Sequence, residues 1–409
     1  MKIAFIVGMF PSLSETFVLN QITGLMELGH DVDIFAINKS NEQKRHNVIN
    51  ELNLMDKVYF FPVIPKNKLL RIIKGKFLFF INFYKDPKKM LKSINIFRRD
   101  KDFVSLKILY HIIPFLGKNY DIIHSHFGNN GEIGVYLRKG GFNGKLVTSF
   151  YGYDLSTFIK YNGENVYKNL FSNGDLFLPI CSYFRDKLIN LSCDPHKIRL
   201  HQIGIDLDKY KFLERTLDEG DIVNIVTAGR LIEKKGYIYS IKALKELSLK
   251  KRNFLYTIIG DGPLHRMLIQ LVDDLGLRRY VKFAGSVDQD ELLEYYRRSH
   301  IFLLPSITAE NGEEEGTPTV LLEAQAVGLP VVSTFHSGIP EIVIHKESGY
   351  LSEEKDIAGL SEYLDILIED QALRKKMGQS GRSFVEKKYN IIKLSSKLAG
   401  IYKELINEK

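Results

Sequence analysis

At 409 residues, 44% hydrophobic and 26% charged, the chain is a folded globular protein too long for one ordinary core, and neither disordered nor fibrous. A net charge of +8 and two cysteines, Cys181 and Cys193, exclude a disulfide framework and a cysteine-based metal centre, and point to a reducing, cytosolic compartment. No stretch approaches the ~20 apolar residues that cross a bilayer, the longest being the eight residues 77–84 with one Asn among them.

Residues 2–7 are apolar, but the run is too short for a secretory leader and Phe10-Pro11-Ser12 turns the chain, so it reads as a first strand. A helix over 15–28 follows, closed by Gly29, then a second strand over 31–36. Between 64 and 107, thirteen Lys or Arg stand against three acids, a charge of +10 that leaves −2 for the rest of the chain. Ile72, Ile73 and four Phe residues (Phe77, Phe79, Phe80, Phe83) interleave with these cations. Such a window suits an anionic membrane surface; it also suits a solvated helix pair whose apolar face is core. No nucleic-acid motif accompanies the charge, so nucleic acid is not expected as a partner.

Short runs rich in Ile, Val, Leu and Phe at 121–125, 145–150, 175–180 and 197–202 complete a first set of strands. After a charged linker at 214–221 the pattern restarts, with strands expected at 222–227, 254–259, 281–284, 301–305 and 330–333. Strands alternating with helices imply parallel βαβ units with right-handed crossovers. The expected fold class is α/β, two Rossmann-like parallel-sheet domains whose ligands bind beyond the carboxyl ends of the strands.

The loops after the second set of strands carry the chemistry. Gly229-Arg230 through Lys235-Gly236 frees the backbone at a glycine and then presents cations suited to a diphosphate. Gly260-Asp261-Gly262-Pro263 is a tight turn that lets a nucleotide approach the backbone. In Glu315-Gly316-Thr317-Pro318-Thr319, Thr317 is the expected hydroxyl cap and Pro318 the first helical residue. The amides of such a helix start form an anion site. Glu315 lies just before that helix, placed for sugar hydroxyls, and Glu323 lies about two turns inside it. Ser337-Gly338-Ile339-Pro340-Glu341 opens a further short helix after a strand.

These motifs together resemble the family-4 retaining glycosyltransferases of GT-B architecture. The E-x7-E pair Glu315/Glu323, the G-R-x4-K-G loop and the Leu329-Pro330-Val331-Val332 strand carry the likeness, strongest from 229 to 349. Within the family, the segments 10–17, His124-Ser125-His126-Phe127 and Tyr151-Gly152-Tyr153-Asp154 are similar to the bacterial exopolysaccharide branch of the colanic-acid type. The resemblance implies two domains facing an interdomain cleft. One is an acceptor-binding domain over 1–204 to which the tail 388–409 returns as a helix; the other is a nucleotide-sugar-binding domain over 205–387. It implies that Arg230 and Lys235 neutralise the donor diphosphate, with Gly229 and Gly260 beside it. Amides of Gly316, Thr317 and Thr319 would meet the distal phosphate, Glu315 the transferred sugar and Glu323 the ribose. His126 would reach the reacting sugar from the opposite wall, and Asp154 would line the acceptor side. Many relatives carry a Gly-Gly pair after the first strand; here Ser14, Glu15 and Thr16 stand there, which suits an acceptor role.

The implied reaction transfers a hexose from a nucleotide diphosphate sugar to a lipid-linked saccharide at the cytoplasmic membrane face, in exopolysaccharide, capsule or lipopolysaccharide biosynthesis. No cofactor or metal is expected, since the D-x-D triplets at 31–33 and 206–208 fall at a strand start and in the interdomain connection. A sugar-nucleotide epimerase of the same architecture, which would act without an acceptor, and a non-catalytic assembly partner are the alternatives. No G-x-G-x-x-G follows the first strand, which argues against a dehydrogenase.

Overall fold

The computed structural model describes residues 1–12, 15–40, 46–95, 106–218 and 220–408. They form two compact units, one of Met1–Ile180, Arg185–His201 and Ser395–Lys409, the other of Cys181–Phe184 and Gln202–Leu394.

In the first unit the strands are β1 (Lys2–Phe10), β2 (Asp31–Lys39), β3 (Val58–Phe60), β4 (Ile122–His126), β5 (Lys145–Phe150) and β6 (Leu176–Pro179). They pair in parallel in the order β3-β2-β1-β4-β5-β6. The second unit repeats the plan with β7 (Val223–Ala228), β8 (Phe254–Ile259), β9 (Val281–Gly285), β10 (Ile301–Leu303), β11 (Val331–Thr334) and β12 (Gly349–Ser352). Its order is β12-β11-β10-β7-β8-β9, all parallel. Each sheet therefore reverses its winding direction beside its first strand, between β1 and β4 and between β7 and β10. That reversal opens a crevice at the carboxyl ends, where ligands of such sheets bind.

The strands read as continuous apolar runs because both faces of each sheet are covered. Side chains alternate between two cores. Ile3, Phe5 and Val7 of β1 enter one and Ala4 and Ile6 the other. In β7, Val223 and Ile225 enter one core and Val226 and Ala228 the other. The last helix, Ile391–Asn407, sends Leu398, Ile401, Tyr402 and Leu405 into the β1 core, where Val18, Ile22 and Leu25 of the helix Thr16–Glu27 also lie. The two helices come close at Gly24, where a Cβ would sit 2.2 Å from Ser395 Oγ. Tyr402 then shares a 2.6 Å hydrogen bond with buried His124.

Three sequence expectations change here. The strands β3 and β12, each at an edge of its sheet, add to the expected set. Residues 197–202 form no ladder of their own: the segment leaves a turn at Pro195–Lys197 and runs beside β6, giving single hydrogen bonds from Arg199 N to Phe177 O and His201 N to Pro179 O. The helix after Glu315 starts at Thr319, with Pro318 as the last extended residue (φ −63°, ψ 106°).

Candidate active site

In the second unit, β7 runs into Gly229, whose amide donates to Ile259 O at 3.0 Å. Gly229 (φ 154°) and Gly260 (φ 129°) touch backbone to backbone: a Cβ on Gly260 would lie 2.1 Å from Gly229 O. The two loops at the ends of β7 and β8 are thus zipped together through glycine, as the donor-site reading requires of close backbone approach. Arg230 stands exposed on the first loop. A short turn, Glu233–Lys235, ends at Gly236, and Lys234 O accepts from Ile307 N beyond β10.

That turn delivers two ammonium groups to one carboxylate. Lys235 Nζ lies 2.9 Å and Lys234 Nζ 3.5 Å from Glu315 Oε1, ion pairs without the alignment of a hydrogen bond. Lys234 also reaches Glu313 at 2.9 Å. Burial pushes the Glu315 pKa up, but the charges of Lys235 and then Lys234 outweigh it and bring it down to about 2. The carboxylate is therefore ionised at neutral pH.

The backbone of Glu315 is held from the other side. Its amide donates to His336 Nε2 at 3.0 Å, and His336 Nδ1 lies 2.5 Å from Glu354 Oε1. An imidazole nitrogen that accepts a hydrogen bond carries no proton, so His336 takes the Nδ1–H tautomer and donates to Glu354. Glu354 also accepts from the amide and hydroxyl of Thr308.

Past Glu315, the chain runs through buried Gly316, Thr317 and Pro318 into the helix Thr319–Ala326. Among the described residues, no carbonyl accepts from the amides of Gly316, Thr317 or Thr319, and no side chain caps the helix start. Thr317 is not the expected cap, because extended Pro318 places it one residue too far out. A cluster of unpaired amides at a buried helix start costs free energy unless an anion or water meets it. Gly338 packs under this segment, where a Cβ would lie 2.3 Å from Gly316 O.

Glu323 is buried, and its Oε2 accepts from Tyr296 OH at 3.1 Å. Burial raises its pKa, and hydrogen bonds from Tyr296 and Tyr210 oppose the rise. Glu341, half-buried, is taken up by a helix start. It accepts from the amides of Ser182 and Tyr183, at 2.6 and 3.3 Å, and so caps the helix Ser182–Asn190.

In the first unit, His126 ends β4 and is fully buried. Its Nδ1 shares a 2.7 Å hydrogen bond with Tyr151 OH, and its ring stacks on His124 at 4.4 Å. Its Nε2 has no hydrogen-bond partner among the described residues. Burial, then the nearby His201, lowers its pKa to about 3, so the ring is neutral at physiological pH. The next residue, Phe127, holds a left-handed φ of 70°, which a bulky side chain adopts only when its surroundings enforce it.

Asp154 is also fully buried, and its carboxylate is occupied. It accepts from the amides of Gly152 (2.9 Å), Tyr151 (3.0 Å) and Gly128 (2.9 Å), tying the 151–154 loop to the start of the helix Gly128–Lys139. Both carboxylate oxygens of this residue, expected to line the acceptor side, are engaged by backbone amides. Glu15 and Thr16 are half-buried at the start of the helix Thr16–Glu27; Ser14 lies outside the described residues.

The structure thus brings Lys235 to Glu315, Gly229 to Gly260, and the three amides of 316–319 into one segment. Lys234, His336, Glu354, Tyr210 and Tyr296 join the site without having been anticipated. Of these, Lys234 lies in the loop already singled out after β7 and His336 shortly after β11, whereas Glu354, Tyr210 and Tyr296 carried no sequence signal.

Residues 14–209 match the profile of the family described as Glycosyltransferase Family 4, and residues 213–384 that described as Glycosyl transferases group 1. The amylovoran biosynthesis glycosyltransferase AmsK of Erwinia amylovora is 36% identical over 95% of this chain and 96% of its own. The putative colanic acid biosynthesis glycosyltransferase WcaL of Salmonella typhimurium is 34% identical over 89% and 90%. Among solved structures, Anabaena Alr3699/HepE in complex with UDP and glucose is similar with a TM-score of 0.73 at 16% identity, over 98% of this chain and 99% of that one. That last likeness establishes the fold, the two-domain GT-B architecture.

Proposed function

The chain belongs to glycosyltransferase family 4, and on that footing we propose that it transfers a hexose, with retention, from a nucleotide diphosphate sugar to a lipid-linked saccharide in bacterial exopolysaccharide assembly. The single observation that carries the donor half is the row of carbonyl-free amides at Gly316, Thr317 and Thr319 beside the Lys234–Lys235 pair. Amides and ammonium groups so arranged stabilise the charge that builds on a departing diphosphate. The biosynthetic setting rests on the relatives named for amylovoran and colanic acid, and the donor class is supported by the UDP complex of the HepE protein.

In this reading the second unit takes the donor and the first the acceptor. Arg230 and Lys235 neutralise the diphosphate. Glu315, ionised and preset by Lys235 and His336, accepts hydrogen bonds from hydroxyls of the transferred sugar. Glu323 takes the ribose, its carboxylate aimed by Tyr296. His126 offers the sugar a neutral imidazole edge, since its low pKa removes it as a cation or general acid. The acceptor hydroxyl attacks the anomeric carbon on the face the phosphate leaves, the glycosidic bond forms as the bond to phosphate oxygen breaks, and that oxygen takes the hydroxyl proton. The protein contributes positioning and electrostatics. Beside the acceptor-side residues Glu15 and Thr16, Phe17 packs its ring on Tyr151 at 4.5 Å, and Asp154 holds the Tyr151 amide; the work is done at the cytoplasmic face of the membrane.

A thermal-shift panel of uridine- and guanosine-linked sugars tests this. A saturating donor at ~100 Kd contributes about 2.7 kcal/mol, roughly a 5–10 °C rise for a domain of this size. Glu315→Ala should lose most of that rise while keeping the fold. Stabilisation by none of the sugars would sink the reading.

A further inference from the structure

The helix Lys68–Asn82 is built inside out. At 100° per residue, Leu69, Leu70, Ile73, Phe77, Phe80 and Ile81 fall within one arc of about 120°. In a surface helix such a stripe faces the core. Here it faces away: those six side chains, and Tyr84 just beyond the helix, are each 46–76% exposed. The helix is fastened to the first unit by its opposite side. Gly75 packs there so closely that a Cβ would meet Leu106 at 2.8 Å. Phe79 and Phe83 join the core against that side, buried Asn82 bonds back to Leu78 O, and Tyr110 donates to Arg71 O. Exposure of the apolar arc is therefore imposed by how the helix is anchored.

Lysines border the arc. Lys66 and Lys68 stand exposed before its first turn, Lys76 on its flank, and Lys85 and Lys88 past its end. The helix has 15 residues, about 22 Å, against a hydrocarbon core of about 30 Å, so it is too short to cross a bilayer. Among the described residues no helix is long and apolar enough to do so. An apolar face rimmed by cations, on a helix that cannot span, matches a surface that is hydrocarbon just below a layer of negative charge.

We propose that the arc from Leu69 to Tyr84 is a membrane-docking face that lies in the plane of an anionic bilayer, with its aromatic and aliphatic side chains among the acyl chains and its lysines at the headgroups. The charge is what selects lipid as the occupant: a second copy would set this same cationic rim against itself. Docking is independent of the donor site and needs no nucleotide.

The chain has no tryptophan, so one inserted Trp reports alone. The full chain carrying Phe80→Trp is mixed with phosphatidylcholine vesicles, with or without about a third phosphatidylglycerol, at physiological salt. Emission should shift to the blue and the protein co-sediment only with the anionic vesicles, while Leu249→Trp, exposed on the second unit, should not shift. Phe77→Asp with Phe80→Asp should weaken vesicle binding about tenfold or more, with the far-UV spectrum and donor binding unchanged. Failure to co-sediment with the anionic vesicles overturns the proposal. So does full binding by the double variant, or a concentration-dependent blue shift without lipid, which would make the occupant a second copy.

Discussion

Glu315 shows how much one buried carboxylate can be asked to do. Out of water it would prefer to be neutral, yet two lysines keep it ionised, and the His336–Glu354 pair behind it holds its amide. The sign of the resulting pH dependence follows from linkage. Its folded pKa of about 2 lies below the usual 4.5, so the stabilisation is full above about pH 4.5 and fades as pH falls toward 2. A shift of that size corresponds to about 3 kcal/mol. In urea titrations, Glu315→Gln should therefore differ most from the parent near neutral pH, with the gap closing as the medium is acidified. A gap that stays level between pH 6 and pH 3 would mean that the lysines do not hold this charge. His336 is a positioning residue in the same chain of contacts. His336→Ala should lower kcat more than it raises KM, because it frees the Glu315 backbone without removing a donor contact.

At the scale of elements, the site depends on glycines that allow loops to touch. Gly236 adopts a left-handed φ of 69°, and a Cβ there would lie 1.8 Å from Pro305 O. Gly276 has nearly the same φ, 67°, with nothing within 4 Å of its missing Cβ. The pair separates two effects. Gly276→Ala carries only the conformational cost, about 1 kcal/mol, whereas Gly236→Ala adds a backbone collision and should cost at least ~2–3 kcal/mol in denaturant melts. It should also weaken donor binding, because Lys234 and Lys235 ride on that turn. Equal costs at the two positions would remove the close approach from the account. The uncapped helix start at Thr319 belongs to the same logic. Had Thr317 capped it, the amides that an anion must find unpaired would already be satisfied.

For the whole molecule, two separate doubly wound units predict that ligand protection is local. With UDP or a UDP sugar, hydrogen exchange should slow at the amides of Gly316, Thr317, Thr319 and Val320 and in the 229–236 and 260–262 loops, and stay unchanged in β1 through β6. Protection centred on the first sheet would reverse the assignment of donor and acceptor units. The last helix contributes to the first unit from the far end of the chain. Tyr402→Phe removes the hydroxyl that meets His124, and a buried hydrogen bond of this kind is worth about 1–2 kcal/mol. The loss should appear as a lower melting temperature for the first unit alone.

Strand periodicity, turn glycines and the spacing of Glu315, Glu323, Arg230 and Lys235 were all legible in the linear chain, because each is a local pattern of a few residues. They were enough for two parallel α/β sheets and for the family. Contacts between distant segments were not legible. That Lys234 as well as Lys235 meets Glu315, that His336 grips its amide, and that Tyr210 and Tyr296 aim Glu323 depend on which loop ends the sheets bring side by side. The same holds for Asp154, whose carboxylate is filled by three amides from two separate segments. It holds most clearly for the helix Lys68–Asn82. Composition named its apolar and basic residues, but which face points outward depends on where Gly75 and Asn82 attach it, and attachment is a property of packing.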